Sequence, residues 1–233
     1  MRSPSMHSQT PASSATAPTR RRRARGLLVA AALATAPLAT AGRAHAEELS
    51  PTERARLARG ETVTRAVTIE GEDRRYVGGL TYAVIDASVS ELQEIFEDVA
   101  SYRHLLPRTK RATLVDRVAQ DDLVELRQGT AMIEARYTLR VRHEPWRREV
   151  HFWLVPSRPH DVRDAWGYFH VDPVPPSEGA TGPRSLVTYA VLVDLGPGLV
   201  RDLFEERLRT VLLSTPDILR RYIAARHSPP RQG

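Results

Sequence analysis

No cysteine occurs among the 233 residues. A chain without thiols forms no disulfide, no thiolate zinc site and no lipoprotein anchor, so its stability has to come from an apolar core. Aromatic side chains are scarce too, at 6% of the chain, with four Phe and three Trp. There is no phosphate-cradling glycine loop and no Gly-x-Ser-x-Gly elbow, which removes two common signatures of nucleotide binding and serine hydrolysis. His104, His143, His151, His160, His170 and His227 are scattered, with no pair at the i, i+4 spacing that sets two imidazoles on one helix face. Neither a metal nor another cofactor is expected, and no catalytic residue stands out. The apolar run from Leu27 to Ala41 is about 15 residues long, short of the roughly 20 that a membrane-spanning helix needs.

That run sits inside a three-part leader. Residues 1–19 are rich in Ser, Thr, Pro and Ala, Arg20 to Arg23 and Arg25 follow, and after the apolar stretch Ala44-His45-Ala46 offers a small-residue cleavage site before Glu47. The order predicts a secretory peptide over residues 1–46, cut between Ala46 and Glu47, and an exported product in the periplasm or outside the cell. Removing the leader's seven arginines from the 34 basic residues leaves 27 against 28 acidic ones, a net charge of −1. The overall charge of +6 therefore belongs to the leader, and no nucleic-acid partner is expected. The remaining 187 residues suit one domain with a sizeable core.

Beyond the leader, residues 47–60 read as a short helix with Ser50 as N-cap, Pro51 at N1 and Glu53 closing a capping box. Glu61 to Glu70 and Tyr76 to Ile85 alternate as a hairpin, with Gly78 and Gly79 marking a bulge. Ser88 and Glu91 box the next helix, which runs to about Ala100, and a short turn of helix stops at Pro107. Period-two patterning then predicts strands at Thr113 to Arg117, Leu123 to Gln128, Thr130 to His143, Arg148 to Val155, Asp164 to Val171 and Ser185 to Asp194. In Thr130 to His143, Ala131, Ile133, Ala135, Tyr137, Leu139 and Val141 share one face and charged residues the other. The chain closes on a long amphipathic helix from Leu199 to about Ala225. Pro216 interrupts it, so it has to bend or restart with Ser214 or Thr215 as a fresh cap; unbroken phase of the apolar stripe favours a kink. The expected fold is α+β, an antiparallel sheet of about seven strands curved around that helix over residues 61–226, with 227–233 as a tail.

This order of elements resembles the START-like, helix-grip superfamily of polyketide cyclases, lipid-transfer domains and coenzyme Q-binding proteins. The resemblance covers about Glu61 to Ala225. It rests on Val84-Ile85-Asp86-Ala87-Ser88 leading into the first helix, on Asp98, Tyr102 and Pro107 in the segment that follows, on the long antiparallel run and on the terminal helix. It implies a cavity that holds an apolar ligand between sheet and helix.

Tyr137, Phe152, Phe169, Tyr189, Leu203 and Phe204 are the candidate wall, against the plainer reading of the aromatics as core. Trp153 and Trp166 lie on strands apolar on both faces and have no assigned side. Asp121-Asp122 and Glu205-Glu206 read as solvated pairs, His160-Asp161 as a local hydrogen bond, and Arg127 and Arg136 as surface ion pairs. The function expected is an exported carrier of a lipid, quinone or similar apolar molecule, with transient membrane contact, and Pro216 as the hinge that admits it. The alternative is a cyclase or dehydratase, which needs convergent titratable groups on the cavity wall.

Overall fold

Helix α1 (Pro51–Ala58) begins on the capping box its sequence predicts: Ser50 Oγ accepts from the Glu53 amide at 3.2 Å and Glu53 Oε2 accepts from the Ser50 amide at 2.8 Å. The computed structural model describes residues 49–131, 134–175, 182–197 and 199–228, without the side chains of 199–204. The cleavage site at Ala46 and Glu47 lies outside the described residues, as does Ile133. Both Glu53 oxygens also accept from Arg65 on strand β1 (Val63–Glu70), at 2.9 and 2.6 Å, and this guanidinium is the main reason the Glu53 carboxyl is held down to about 2. The clamp seats Leu57 against Val63, Leu80, Tyr82 and Ala190 on one face of the sheet, here called the outer face.

Strand β2 (Arg75–Ile85) pairs with β1, after which the chain leaves the sheet through α2 (Val89–Glu97), a 3-10 turn (Val99–Ser101) and α3 (Tyr102–Leu105). It re-enters at the far edge as β3 (Thr109–Val118) and returns strand by strand through β4 (Asp121–Gly129), β5 (Glu134–Glu144), β6 (Glu149–Leu154), β7 (Asp164–Val174) and β8 (Arg184–Asp194). The spatial order is β1-β2-β8-β7-β6-β5-β4-β3, eight strands among the described residues and all antiparallel, in line with the expected sheet of about seven. The one long passage carries α2 and α3 across the inner face, where Phe96 stacks on Phe169 at 4.6 Å.

Several local expectations need correction. Ser88 caps α2 by accepting from Glu91 N at 3.1 Å, but the Glu91 carboxylate lies 2.9 Å from His227 Nε2 instead of completing the box. The ladders run without a break through Gly78 and Gly79. These glycines serve close approach: a Cβ would stand 1.9 Å from the Val191 carbonyl oxygen at Gly78 and 2.1 Å from that of Arg65 at Gly79. The register shifts fall in β3 instead, between Thr109 and Arg111 and between Leu114 and Asp116. Strand β5 starts at Glu134, later than Thr130.

The terminal segment is two helices, α4 (Leu199–Leu213) and α5 (Thr215–His227), rather than one. Pro216 has no N–H for the Leu212 carbonyl, and the Thr215 hydroxyl donates to that oxygen at 2.9 Å in its place. Ser214 Oγ donates to Val211 O at 2.7 Å. Neither hydroxyl caps the new helix, contrary to expectation; both satisfy carbonyls of the old one. Thr81 Oγ1 on β2 adds a bond to Leu213 O at 3.1 Å, pinning the break to the sheet.

Candidate ligand cavity

On the inner face, alternate positions of β4 to β8 bring Leu126, Tyr137, Leu139, Val141, Val150, Phe152, Ala165, Phe169, Tyr189, Val191 and Val193 to one wall of a cavity of about 70 Å³. Phe96, Tyr102 and Leu105 to Pro107 close one side and Leu212 the helix side. The register explains the aromatic wall. Phe169 lies directly opposite Tyr189, and their rings meet at 4.6 Å between centroids, tilted by 31°. Phe152 lies opposite Gly167, where a Cβ would meet its ring at 2.4 Å, so the glycine is what lets the ring lie down over β7. Phe152 then reaches Phe169 at 6.2 Å and Tyr189 at 6.3 Å between centroids.

One end of this wall is polar. The Tyr137 hydroxyl donates to Gln128 Oε1, its diagonal neighbour across β4 and β5, while Gln128 Nε2 donates to Thr109 Oγ1 at 2.7 Å and Pro107 O at 3.2 Å. Tyr102 donates to Phe96 O at 2.8 Å. Burial pushes the phenols of Tyr102, Tyr137 and Tyr189 well above their ordinary value, so all three are neutral hydrogen-bonding groups near pH 7. Among the described residues the wall carries no carboxylate, imidazole, ammonium or guanidinium group. What it offers a guest is apolar contact and, at one end, hydroxyl and amide groups.

The structure brings Tyr137, Phe152, Phe169 and Tyr189 together in this wall; the side chains of Leu203 and Phe204 lie outside the described residues. Sequence reading missed Phe96, Gln128 and Leu212 as wall residues. Gln128 had a signal: it follows Val124 and Leu126 on one strand face, a polar residue where alternation calls for an apolar one.

Other candidates fall elsewhere. Asp121 and Asp122 are buried, 3% and 7% exposed, and not solvated as expected. Arg142, on the face of β5 predicted to be wet, takes Asp121 in a fork at 2.7 and 2.9 Å, and Arg117 takes Asp122 at 2.6 Å. Glu205 is likewise sheltered by Arg75 and Arg209, leaving Glu206 exposed. His160 bonds to Val162 O and Asp161 to the Arg136 amide, so the two do not form a dyad. Arg136 pairs with Glu125 at 2.5 Å, the surface role foreseen for it, and Arg127 lies 4.0 Å from Glu125. Trp153 and Trp166 face each other across β6 and β7 on the outer face, where Arg142 lies over the Trp153 ring.

No protein-family model matches the chain, and no curated protein matches it. Solved structures do. A STAR-related lipid transfer protein from Xanthomonas axonopodis is 16% identical, with 70% of this chain and 93% of that one covered at a TM-score of 0.55. A protein from Thermus thermophilus is 14% identical, with 64% and 98% covered at a TM-score of 0.50. The Zhui aromatase/cyclase from a Streptomyces species is 17% identical, with 73% and 99% covered at 0.49. At such identities the likeness is one of fold.

Proposed function

From the START-like, helix-grip fold, we propose that this chain is an exported binder or carrier of an apolar small molecule, such as a lipid or quinone, held between the sheet and the C-terminal helices. The observation that carries the reading is the composition of the cavity wall: aliphatic and aromatic throughout, with neutral hydroxyl and amide groups gathered at the Gln128–Tyr137 end. Such a wall gains free energy by burying apolar area and uses its few polar groups to orient the guest's head. A cyclase needs a group that moves a proton near neutral pH, and the titratable groups on the described wall are phenols that burial keeps protonated. No helix among the described residues is long and apolar enough to cross a membrane. The leader over residues 1–46, removed after Ala46, delivers the chain outside the cytoplasm, where the hydrophobic guest is loaded by transient contact with a membrane.

A cavity of about 70 Å³ is smaller than the roughly 300–1,000 Å³ of typical ligand sites, so a lipid-sized guest enters only when a wall moves. The segment most suited to move is α4, which ends at the break between Leu213 and Thr215. Extraction of the purified chain with organic solvent, followed by mass spectrometry, is expected to yield a stoichiometric apolar molecule. Leu212→Lys, which sets an ammonium on the wall at a cost of several kcal/mol, is expected to lower affinity for a fluorescent fatty acid at least about tenfold. A chain that carries nothing and takes up no such probe overturns the reading.

A further inference from the structure

The outer face of the sheet carries a second grouping of side chains, which the cavity does not use. The β5–β6 hairpin sets Glu144 opposite Glu149, and the β6–β7 register sets Glu149 opposite His170. Glu149 thereby stands between two imidazoles, its Oε2 at 2.9 Å from His151 Nε2 and its Oε1 at 3.5 Å from His170 Nδ1. One ligand-type atom each from Glu144, Glu149 and His151 lies within 4.8 Å of the others. His170 Nδ1 is buried with no hydrogen-bond partner among the described residues, while its Nε2 is 2.9 Å from Asp172 Oδ2.

We propose that Glu144, Glu149 and His151 bind a divalent transition-metal ion of the zinc class, with His170, outside that group of three but 3.5 Å from Glu149, moving in as the fourth ligand. Ligand atoms about 2.1 Å from a tetrahedral ion stand about 3.4 Å apart, and the Glu149–His170 separation of 3.5 Å already has that value. Two imidazoles and two carboxylates are borderline nitrogen and oxygen donors, which suit Zn²⁺ better than Mg²⁺ or Ca²⁺, and the two carboxylates match its charge. Asp172 behind His170 fixes the ring so that Nδ1 faces inward, as a carboxylate behind a ligating histidine does. Arg147 and Arg148 lean on the periphery, at 3.4 Å from Glu144 and 3.2 Å from Asp172, and leave Glu149 to the imidazoles. Without an ion, two glutamates directly across a ladder repel each other; an ion between them reverses the sign. Because Glu149 and His151 flank Val150, and His170 follows Phe169, the bound ion ties three strands together directly behind the cavity wall.

The test is titration of the chelator-treated full chain with Zn²⁺, followed by calorimetry. One ion per chain at micromolar free zinc is expected, with affinity reduced about 10–100-fold in Glu149→Gln and in His170→Gln. Glu149→Gln keeps the size of the side chain and a hydrogen-bonding atom for His151 Nε2, so its fold is retained. His160→Gln is the control and is expected to bind as the parent does. In the Co²⁺-loaded chain, visible d–d bands report nitrogen and oxygen ligation and are expected to vanish in His151→Gln. Failure to take up zinc, or uptake unchanged in Glu149→Gln, overturns the proposal.

Discussion

At the scale of single residues, the cavity depends on side chains that are absent as much as on those present. Gly167 has no Cβ, and the ring of Phe152 occupies the space one would fill, 2.4 Å from its ideal position, with the Ala190 carbonyl oxygen at 2.2 Å on the other side. Gly167→Ala is expected to destabilise the fold by about 1–3 kcal/mol, since the Ala190 carbonyl is backbone held in the β7–β8 ladder and has to give way, and a urea midpoint read by Trp fluorescence checks it. Alternation alone made Phe152, Phe169, Tyr137 and Tyr189 legible, because inward positions on a half-buried strand repeat every second residue. Gly167 was not legible in that way, and alternation marks Gln128 only as a polar residue on an apolar face. Each acts through a cross-strand neighbour, and which residue lies opposite is set by register rather than by local sequence. The buried Asp121 is the same case: its meaning lies in Arg142, reached only through the β4–β5 ladder.

At the scale of elements, caps and breakers proved the readable part. Ser50 and Glu53 form their box, and Pro216 interrupts the terminal helix as its missing N–H requires. What the sequence did not disclose is how the freed carbonyls are satisfied. The Thr215 hydroxyl replaces the proline's absent donor, and Thr215 itself is fully buried. Pro216→Ala restores an amide for the Leu212 carbonyl and favours a continuous helix by about 3 kcal/mol at that point. If the break is the hinge on which α4 lifts, the variant is expected to exchange a fluorescent lipid more slowly with little change in equilibrium affinity. Stopped-flow mixing decides it, and equal rates in a folded variant leave the proline only the task of fitting helix to sheet. The glycine pair in β2 misled for a physical reason: a bulge and a close backbone approach both call for glycine, and the ladder alone separates them.

At the scale of the whole molecule, acid acts on the fold in two windows. His143 is desolvated, and burial outweighs the opposing pull of Asp122 and Glu97 to hold its imidazole below the ordinary histidine value, with Arg117 acting the same way as burial. Its folded pKa being depressed, the unfolded chain takes the proton first as pH falls through about 6.5, so stability is full above that range and declines below it. Glu53, held down to about 2 by Arg65, and Asp121, held down by Arg142, act lower, their contributions lost as pH falls through the carboxylate range. His143→Phe is expected to flatten the fall in the urea midpoint between pH 7 and 5.5 and to leave the acid limb below pH 4.5 unchanged. The topology has one more consequence. A sheet that remains open has two rims, and a flat rim of ten residues such as β3 recruits another strand as readily as it was itself recruited. The two register shifts in β3 spoil that template, turning the edge away from a straight ladder while Leu114, Val115 and Val118 stay at the surface. What looks like imperfect pairing inside one molecule is thus a defence against pairing between molecules, built into the strand that ends the sheet.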